Sequence, residues 1–125
     1  MTGVLADTHA LLWWLSDDPR LTQRARRLIA AGEVPVLVSA ASIWEAEVKA
    51  VAGKLAIPEN LVDAIEADRF VELPIAARHA REAARLPPLH RDPFDRMLVA
   101  QARLEGLAIV TGDPKIVEYG ADVVW

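Results

Sequence analysis

The chain has 125 residues, of which 53% are hydrophobic and 26% charged, and it carries no cysteine. This length and composition fit one domain over residues 1–125 with its own core, and they exclude a disordered chain. Without cysteine there are no disulfides or thiolate ligands, so any metal must be held by oxygen or imidazole groups; the net charge of -4 argues against an architectural nucleic-acid binder.

Strand and helix patterns alternate through the first half of the chain. Apolar runs of strand length are followed by capping residues and by stretches with helical periodicity. In order, the sequence predicts a strand at 4–6, helices at 9–15 and 22–31, a strand at 35–38, a helix at 41–52, and a helix at 58–67 that begins at Pro58 and Glu59.

The second half continues this alternation. It predicts a strand at 70–73, a helix at 76–85, a helix at 92–105, a strand at 107–110, a short helix from Pro114 and a strand at 123–125. Strands that alternate with helices indicate βαβ crossovers. The fold class expected is therefore α/β: a three-layer α/β/α domain with a central, mostly parallel sheet of four or five strands. Because no apolar run approaches the ~20 residues of a membrane helix, we expect no membrane contact and a cytoplasmic location.

Four acidic residues fall where predicted strands end or predicted helices begin. Asp7 and Asp113 follow the strands at 4–6 and 107–110. Glu45 and Asp95 lie in the early turns of the helices at 41–52 and 92–105. Strand ends of one kind share an edge in a parallel sheet, and ligands bind at the carboxyl edge. The four carboxylates are therefore expected to converge there.

Clustered carboxylates of this kind suit a hard divalent cation such as Mg²⁺. A bound cation lowers the pKa of a coordinated water and neutralises charge on a phosphoryl transition state. The sequence offers no rival nucleophile set, since it lacks cysteine, a Gly-x-Ser-x-Gly elbow and a phosphate-cradling glycine loop. This pattern favours metal-assisted chemistry at a phosphate group.

Each acid also has a simpler explanation as a helix cap. Residues 42–45 read Ser-Ile-Trp-Glu, the pattern of a capping box in which Glu45 satisfies a backbone N–H. Asp92 precedes Pro93 and is well placed as an N-cap. Asp113 before Pro114 and Asp7 at a strand exit have the same option. Taken singly, the acids do not decide between capping and metal binding.

Six motifs follow one another along the chain: LADTHALLW at 5–13, SAASIWE at 39–45, GKL at 53–55, LPI at 73–75, HRDPFDR at 90–96 followed by AQA at 100–102, and TGD at 111–113. In this order they resemble the motifs of the PIN-domain ribonucleases, specifically the VapC toxins of bacterial toxin–antitoxin pairs. The resemblance covers essentially the whole chain.

The resemblance implies a function and a site. The family's acidic quartet falls on Asp7, Glu45, Asp95 and Asp113, which would be both the catalytic residues and the ligands of one or two Mg²⁺ or Mn²⁺ ions. The protein implied is a metal-dependent endoribonuclease toxin, in which a metal-bound water attacks RNA. Its implied partners are an RNA substrate, a VapB-like antitoxin and a second copy in a homodimer.

Two rival functions stay open. One is a catalytically idle PIN-like module that binds a partner protein. The other is a phosphatase of the haloacid-dehalogenase type, which also places an acid after its first strand. That chemistry needs a second Asp two residues on, where this chain has His9. Participation of Asp92 or Thr111 in the site is also open, and we favour a capping role for Asp92.

Several other side chains carry weaker expectations. Arg96 lies near the expected site and suits a phosphate contact or an ion pair. His79 is expected on the surface of an ordinary helix. Trp44 is expected in the core. Adjacent Trp13 and Trp14 cannot share one helix face, so one of them should be partly exposed or contact a partner.

Overall fold

A computed structural model describes residues 2–125, which form five strands and seven helices. The strands are β1 (Val4–Ala6), β2 (Val36–Ser39), β3 (Val71–Leu73), β4 (Ala108–Val110) and β5 (Val123–Val124). The helices are α1 (Thr8–Leu15), α2 (Gln23–Ala31), α3 (Ala40–Val51), α4 (Leu61–Ala67), α5 (Ala77–Arg85), α6 (Pro93–Glu105) and α7 (Pro114–Val117). None of these helices is both long and apolar enough to cross a membrane.

The five strands form one parallel sheet in the order β3-β2-β1-β4-β5. In the centre, Leu5 pairs with Leu37 on one side and Ile109 on the other. β1 is buried along its whole length, as expected for a central strand with helices on both faces. The predicted α/β fold with a parallel sheet of four or five strands is confirmed.

The core divides between the two faces of the sheet. Successive residues of a strand point to opposite faces. Leu5 and Ile109 pack with residues of α6 and α7, whereas Val4, Ala6 and Val110 pack with residues of α1 and α2. Further apolar contacts join α1, α3 and α4. This packing fixes where the carboxyl ends of β1 and β4 lie relative to α3 and α6.

One predicted helix start is wrong. The helix predicted from Pro58 and Glu59 begins at Leu61, because the Asn60 side chain is the cap that accepts the N–H of Asp63. The helix predicted at 41–52 begins at Ala40, and Ser39 accepts the N–H of Ala41 as its N-cap. The capping box at Ser42, the alternative explanation of Glu45, does not form, because both oxygens of Glu45 accept hydrogen bonds from other side chains.

Two side chains lie where they were not expected. His79 is only 1% exposed, because α6 packs against it through Gln101. Its Nδ1 accepts the N–H of Ala76, whose own side chain cannot cap α5. Trp44 is 60% exposed and meets Phe94 edge-on, with ring centroids 5.0 Å apart. The prediction that Trp44 is buried in the core is therefore wrong, and so is the prediction that His79 is exposed.

Candidate active site

Asp7 and Asp113 leave two adjacent central strands at the carboxyl edge of the sheet. Asp7 follows β1 and caps α1, accepting the N–H of Ala10 at 2.7 Å. Asp113 comes three residues after β4 and caps α7, accepting the N–H of Lys115 at 2.9 Å. Because β1 pairs with β4, the two caps bring these carboxylates to the same part of the edge.

Glu45 reaches the edge from the second turn of α3. Its side chain is buried, with 4% of the residue exposed. Its Oε1 accepts the Thr8 hydroxyl at 2.5 Å, and its Oε2 accepts the Lys49 ammonium group at 2.6 Å. Both oxygens are thus oriented by fixed donors, one from α1 and one from the next turn of α3.

Asp95 and Asp92 come from the start of α6. Asp92 is the N-cap and accepts the N–H groups of Phe94 and Asp95, so the predicted capping role is confirmed. Asp95 lies in the first turn and is partly buried. Pro93 at the first helical position needs no hydrogen-bond partner for its nitrogen, which favours this helix start.

All four predicted acids line one pocket of about 170 Å³. Its lining residues are Asp7, Thr8, His9, Glu45, Lys49, Asp92, Asp95, Asp113 and Lys115. We call this the acid pocket. Thr111 lies beside it, fully buried, and its hydroxyl accepts the N–H of Asp113.

Burial and mutual repulsion raise the pKa of two of these carboxyls. Burial is the main cause at Asp95, followed by the charges of Asp92, Asp113, Glu45 and Asp7, and its pKa rises to about 7. Burial likewise raises the pKa of Asp7, although the Thr111 hydroxyl and the Ala10 amide oppose the shift. The acid pocket therefore concentrates negative charge that a cation would relieve.

The carboxylates do not form a finished metal shell by themselves. Within residues 2–125, no three acidic or histidine side chains are arranged as a ready cation site. Asp7 and Asp113 each give one oxygen to a capping amide, and both oxygens of Glu45 accept hydrogen bonds from Thr8 and Lys49. Asp7, Glu45, Asp95 and Asp113 nevertheless supply oxygen donors around one space, which is the donor type that Mg²⁺ and Mn²⁺ prefer.

The contacts of Thr8 and Lys49 with Glu45 were not predicted from the sequence, and Arg96 was predicted at the wrong place. For Lys49, the i,i+4 spacing from Glu45 is a sequence signal that could have indicated the ion pair. Arg96 does not line the acid pocket. Its guanidinium donates instead to the Tyr119 hydroxyl and to the backbone carbonyls of Ala83, Leu86, Pro87 and His90.

Comparison with known proteins agrees with this architecture. The PIN-domain family model matches residues 4–122. Ribonuclease VapC22 of Mycobacterium tuberculosis is 31% identical over 121 residues, covering 93% of this chain and 91% of that protein. The chain therefore belongs to the PIN-domain family, in its VapC group. Membership of this family removes the haloacid-dehalogenase alternative.

Solved structures show the same fold at lower sequence identity. The DNA-bound VapBC of Salmonella typhimurium aligns with a TM-score of 0.73 at 19% identity, covering 99% of this chain and 98% of the other. VapBC2 of Rickettsia felis, bound to a DNA fragment from its promoter, aligns at 0.71 with 12% identity over 98% and 97%. At these identities the likeness establishes the fold.

Proposed function

We propose that this protein is a metal-dependent endoribonuclease and the toxin of a VapBC-type toxin–antitoxin pair. The observation that carries the proposal is that Asp7, Glu45, Asp95 and Asp113 line one pocket on a PIN fold. The similarity to a ribonuclease over 93% of the chain supports RNA as the substrate. The reaction proposed is hydrolysis of an RNA phosphodiester.

The four carboxylates would hold one or two Mg²⁺ or Mn²⁺ ions. Burial and the charges of neighbouring acids raise the pKa of Asp95, and a divalent cation held among these carboxylates would offset the repulsion. When bound, the metal supplies a water of lowered pKa and neutralises charge on the reacting phosphate. Asp7, Glu45, Asp95 and Asp113 are thus proposed as both metal-binding and catalytic residues.

Neighbouring residues position these ligands. The Thr8 hydroxyl orients Glu45 through Oε1, and the buried Thr111 hydroxyl braces Asp7 and the turn before Asp113. Lys49 holds Glu45 through Oε2 and also lines the acid pocket, where its charge is available to a phosphate oxygen. The amino ends of α1 and α6 add partial positive charge at the same edge.

The partners proposed are a VapB-like antitoxin and a second copy of the chain. Similar folds have been solved as VapBC complexes and as a toxin–antitoxin complex from Klebsiella pneumoniae. Exposed apolar side chains on α3, namely Trp44, Val48 and Val51, give such partners an area to cover. A cytoplasmic location is proposed to match an RNA substrate.

One observation favours the rival hypothesis of an idle protein-binding module. The Lys49 ammonium group forms an ion pair with the Glu45 carboxylate at 2.6 Å, so the acid pocket already contains a positively charged group. If that ion pair never opens, the carboxylates would be a structural cluster and not a metal site. Metal binding and RNA cleavage therefore decide between the two functions.

The test compares cleavage of a broad pool of single-stranded and structured RNA by the wild type and by Asp7→Asn. Asn is as good an N-cap as Asp, so the variant should keep α1 intact while losing a metal ligand. We expect cleavage with Mg²⁺ or Mn²⁺, none with EDTA, and a loss of about 100-fold or more in Asp7→Asn.

The matched control is Asp122→Asn, an exposed acid outside the acid pocket. It should cleave like the wild type. Equal activity of Asp7→Asn and wild type, or activity that persists in EDTA, would disprove the metal-dependent mechanism. A wild type that neither cleaves RNA nor binds Mg²⁺ would support the idle module.

A further inference from the structure

We propose that a cleft of aromatic side chains beside the acid pocket binds an RNA base next to the scissile phosphate. The inference rests on the proposed ribonuclease function and assigns a substrate subsite to it. The cleft is lined by Trp13, Arg20, Gly112, Pro114 and Trp125, and it shares Asp7, His9 and Asp113 with the acid pocket. We call it the aromatic cleft.

The two indole rings of the aromatic cleft are inclined to each other and do not stack in parallel. Trp13 and Trp125 have ring centroids 5.9 Å apart and planes at 51°. The His9 ring lies 5.6 Å from Trp13, tilted by 44°. All three are at least partly exposed, so ring surface is open to a ligand. Protein sites for single-stranded RNA commonly stack bases on such aromatic faces.

Arg20 adds a planar cation to the same surface. Its guanidinium carbon lies 4.9 Å from the centre of the Trp13 ring. Asp18 holds the guanidinium through Nε and Nη2 while leaving the side chain 68% exposed. A guanidinium plane held in this way can itself stack on a base or meet a phosphate. The combination of indole and arginine suits nucleic acid.

Gly112 fixes Trp125 against the turn that carries Asp113. A Cβ added at Gly112 would lie 2.5 Å from the Trp125 ring, so the indole rests directly on this backbone. Trp125 therefore lies against Gly112, the residue directly before Asp113. A base on Trp125 and a phosphate at Asp113 would belong to neighbouring nucleotides.

The volumes of the two cavities also indicate that the phosphate and the base bind in different places. The acid pocket, at about 170 Å³, falls below the roughly 300–1,000 Å³ of sites that enclose small organic ligands. The aromatic cleft, at about 540 Å³, falls within that range. The phosphate and its cations fit the first cavity, and the base needs the second.

The cations proposed for the acid pocket favour RNA over a protein segment as the occupant of the aromatic cleft. With these cations bound, the acid pocket would attract a phosphate group. The aromatic cleft is continuous with that pocket through Asp7, His9 and Asp113, so a nucleic-acid strand entering the site passes over the indoles. A protein segment that fills the aromatic cleft is the alternative that the test must exclude.

The test is a double-mutant cycle between protein and RNA. The binding protein carries Asp95→Asn, which removes a proposed ligand that does not line the aromatic cleft. The probes are a six-nucleotide single-stranded RNA that the wild type cleaves and six versions, each with one abasic position. If the wild type cleaves no RNA, a six-nucleotide oligouridine takes its place. Affinities are measured by fluorescence anisotropy with and without Trp125→Leu.

We expect one abasic position to weaken binding by about 5- to 100-fold, as for loss of one stacked base. Trp125→Leu should cause a similar loss, and combining both should cost little more than either alone. The matched control is Trp14→Leu, because Trp14 turns away to Phe70 and Asp68 and does not line the aromatic cleft. Its effect should add to that of every abasic position.

A second measurement does not depend on how Trp125→Leu folds. In ¹⁵N-labelled Asp95→Asn protein, the intact RNA should shift the indole N–H resonances of Trp13 and Trp125 and leave that of Trp14 in place. Additive losses at all six positions, with unshifted Trp13 and Trp125 signals, would overturn the subsite. So would a Trp125→Leu variant that loses only inhibition by the antitoxin.

The inference and the proposed function can fail separately. If wild type cleaves RNA and Asp7→Asn does not, but no base couples to Trp125, the function stands and the subsite is wrong. If wild type never cleaves RNA, yet one base couples to Trp125, the subsite stands and the hydrolytic function is wrong.

Discussion

Replacing Asp95 with Asn should stabilise the metal-free protein at neutral and alkaline pH. Burial and four neighbouring acids raise the pKa of Asp95 from 3.8 to about 7. The folded protein therefore holds this proton more tightly than the unfolded chain does, and stability falls as pH rises from about 4 to about 7. Asn has no charge to bury, so the variant avoids that loss.

The size of the effect follows from the pKa shift. A shift from 3.8 to about 7 corresponds to about 4 kcal/mol if solvent screening is ignored. Asp95 is partly exposed, so solvent screening reduces this free energy and we take about 1–2 kcal/mol. For a chain of 125 residues this is a rise in Tm of about 3–10 °C.

The assay is thermal unfolding in EDTA across pH 5–8, with Asp122→Asn as the exposed control. The Tm difference between Asp95→Asn and wild type should grow from pH 5 to about pH 7 and be largest at pH 8, while the control follows the wild type. Added Mg²⁺ should then raise the Tm of the wild type more than that of the variant. An Asp95→Asn protein that melts at or below the wild type at pH 8 would refute the charge-repulsion argument.

Three further substitutions test other parts of the site and its support. Lys49→Met removes the ammonium group that is paired with Glu45 and should lower the Kd for Mg²⁺ by about tenfold, measured by calorimetry. The control Lys54→Met should leave this Kd unchanged. Arg96→Lys keeps the charge but has too few donors for its carbonyl partners, so urea unfolding should show a loss of about 2–3 kcal/mol. Gly112→Ala should displace the Trp125 indole and weaken RNA binding several-fold, measured by anisotropy, with Mg²⁺ binding little changed. An unchanged affinity or stability in any of these would contradict the contact concerned.

The parallel sheet was predictable because its signals are local and repeated. The strand Val4–Ala6 is apolar at every position, which indicates burial on both faces, and it is followed at once by a capping Asp. Helical stretches ending in Gly32 and Gly106 separate such strands, and both glycines are left-handed caps in the structure. Alternation of these units leaves few arrangements other than a parallel sheet.

The convergence of Asp7, Glu45, Asp95 and Asp113 was also predictable, since strand ends and helix starts share one edge. The partners of these acids were not. Thr8 and Glu45 are 37 residues apart, and their hydrogen bond depends on how α1 crosses α3. No local pattern encodes that crossing. The same holds for His79, whose burial depends on Gln101 of α6 approaching α5.

Helix capping and metal binding began as competing explanations for the acids, but the geometry makes them compatible. A carboxylate has two oxygens, and an N-cap needs only one of them. Asp7 and Asp113 each give one oxygen to a backbone amide of the helix that follows. The capping bond fixes the carboxylate at the sheet edge, and the second oxygen remains free of that bond. Asp92 likewise gives one oxygen to two backbone amides, and it lines the acid pocket together with Asp95. The caps thus hold the proposed ligands in place before any cation arrives.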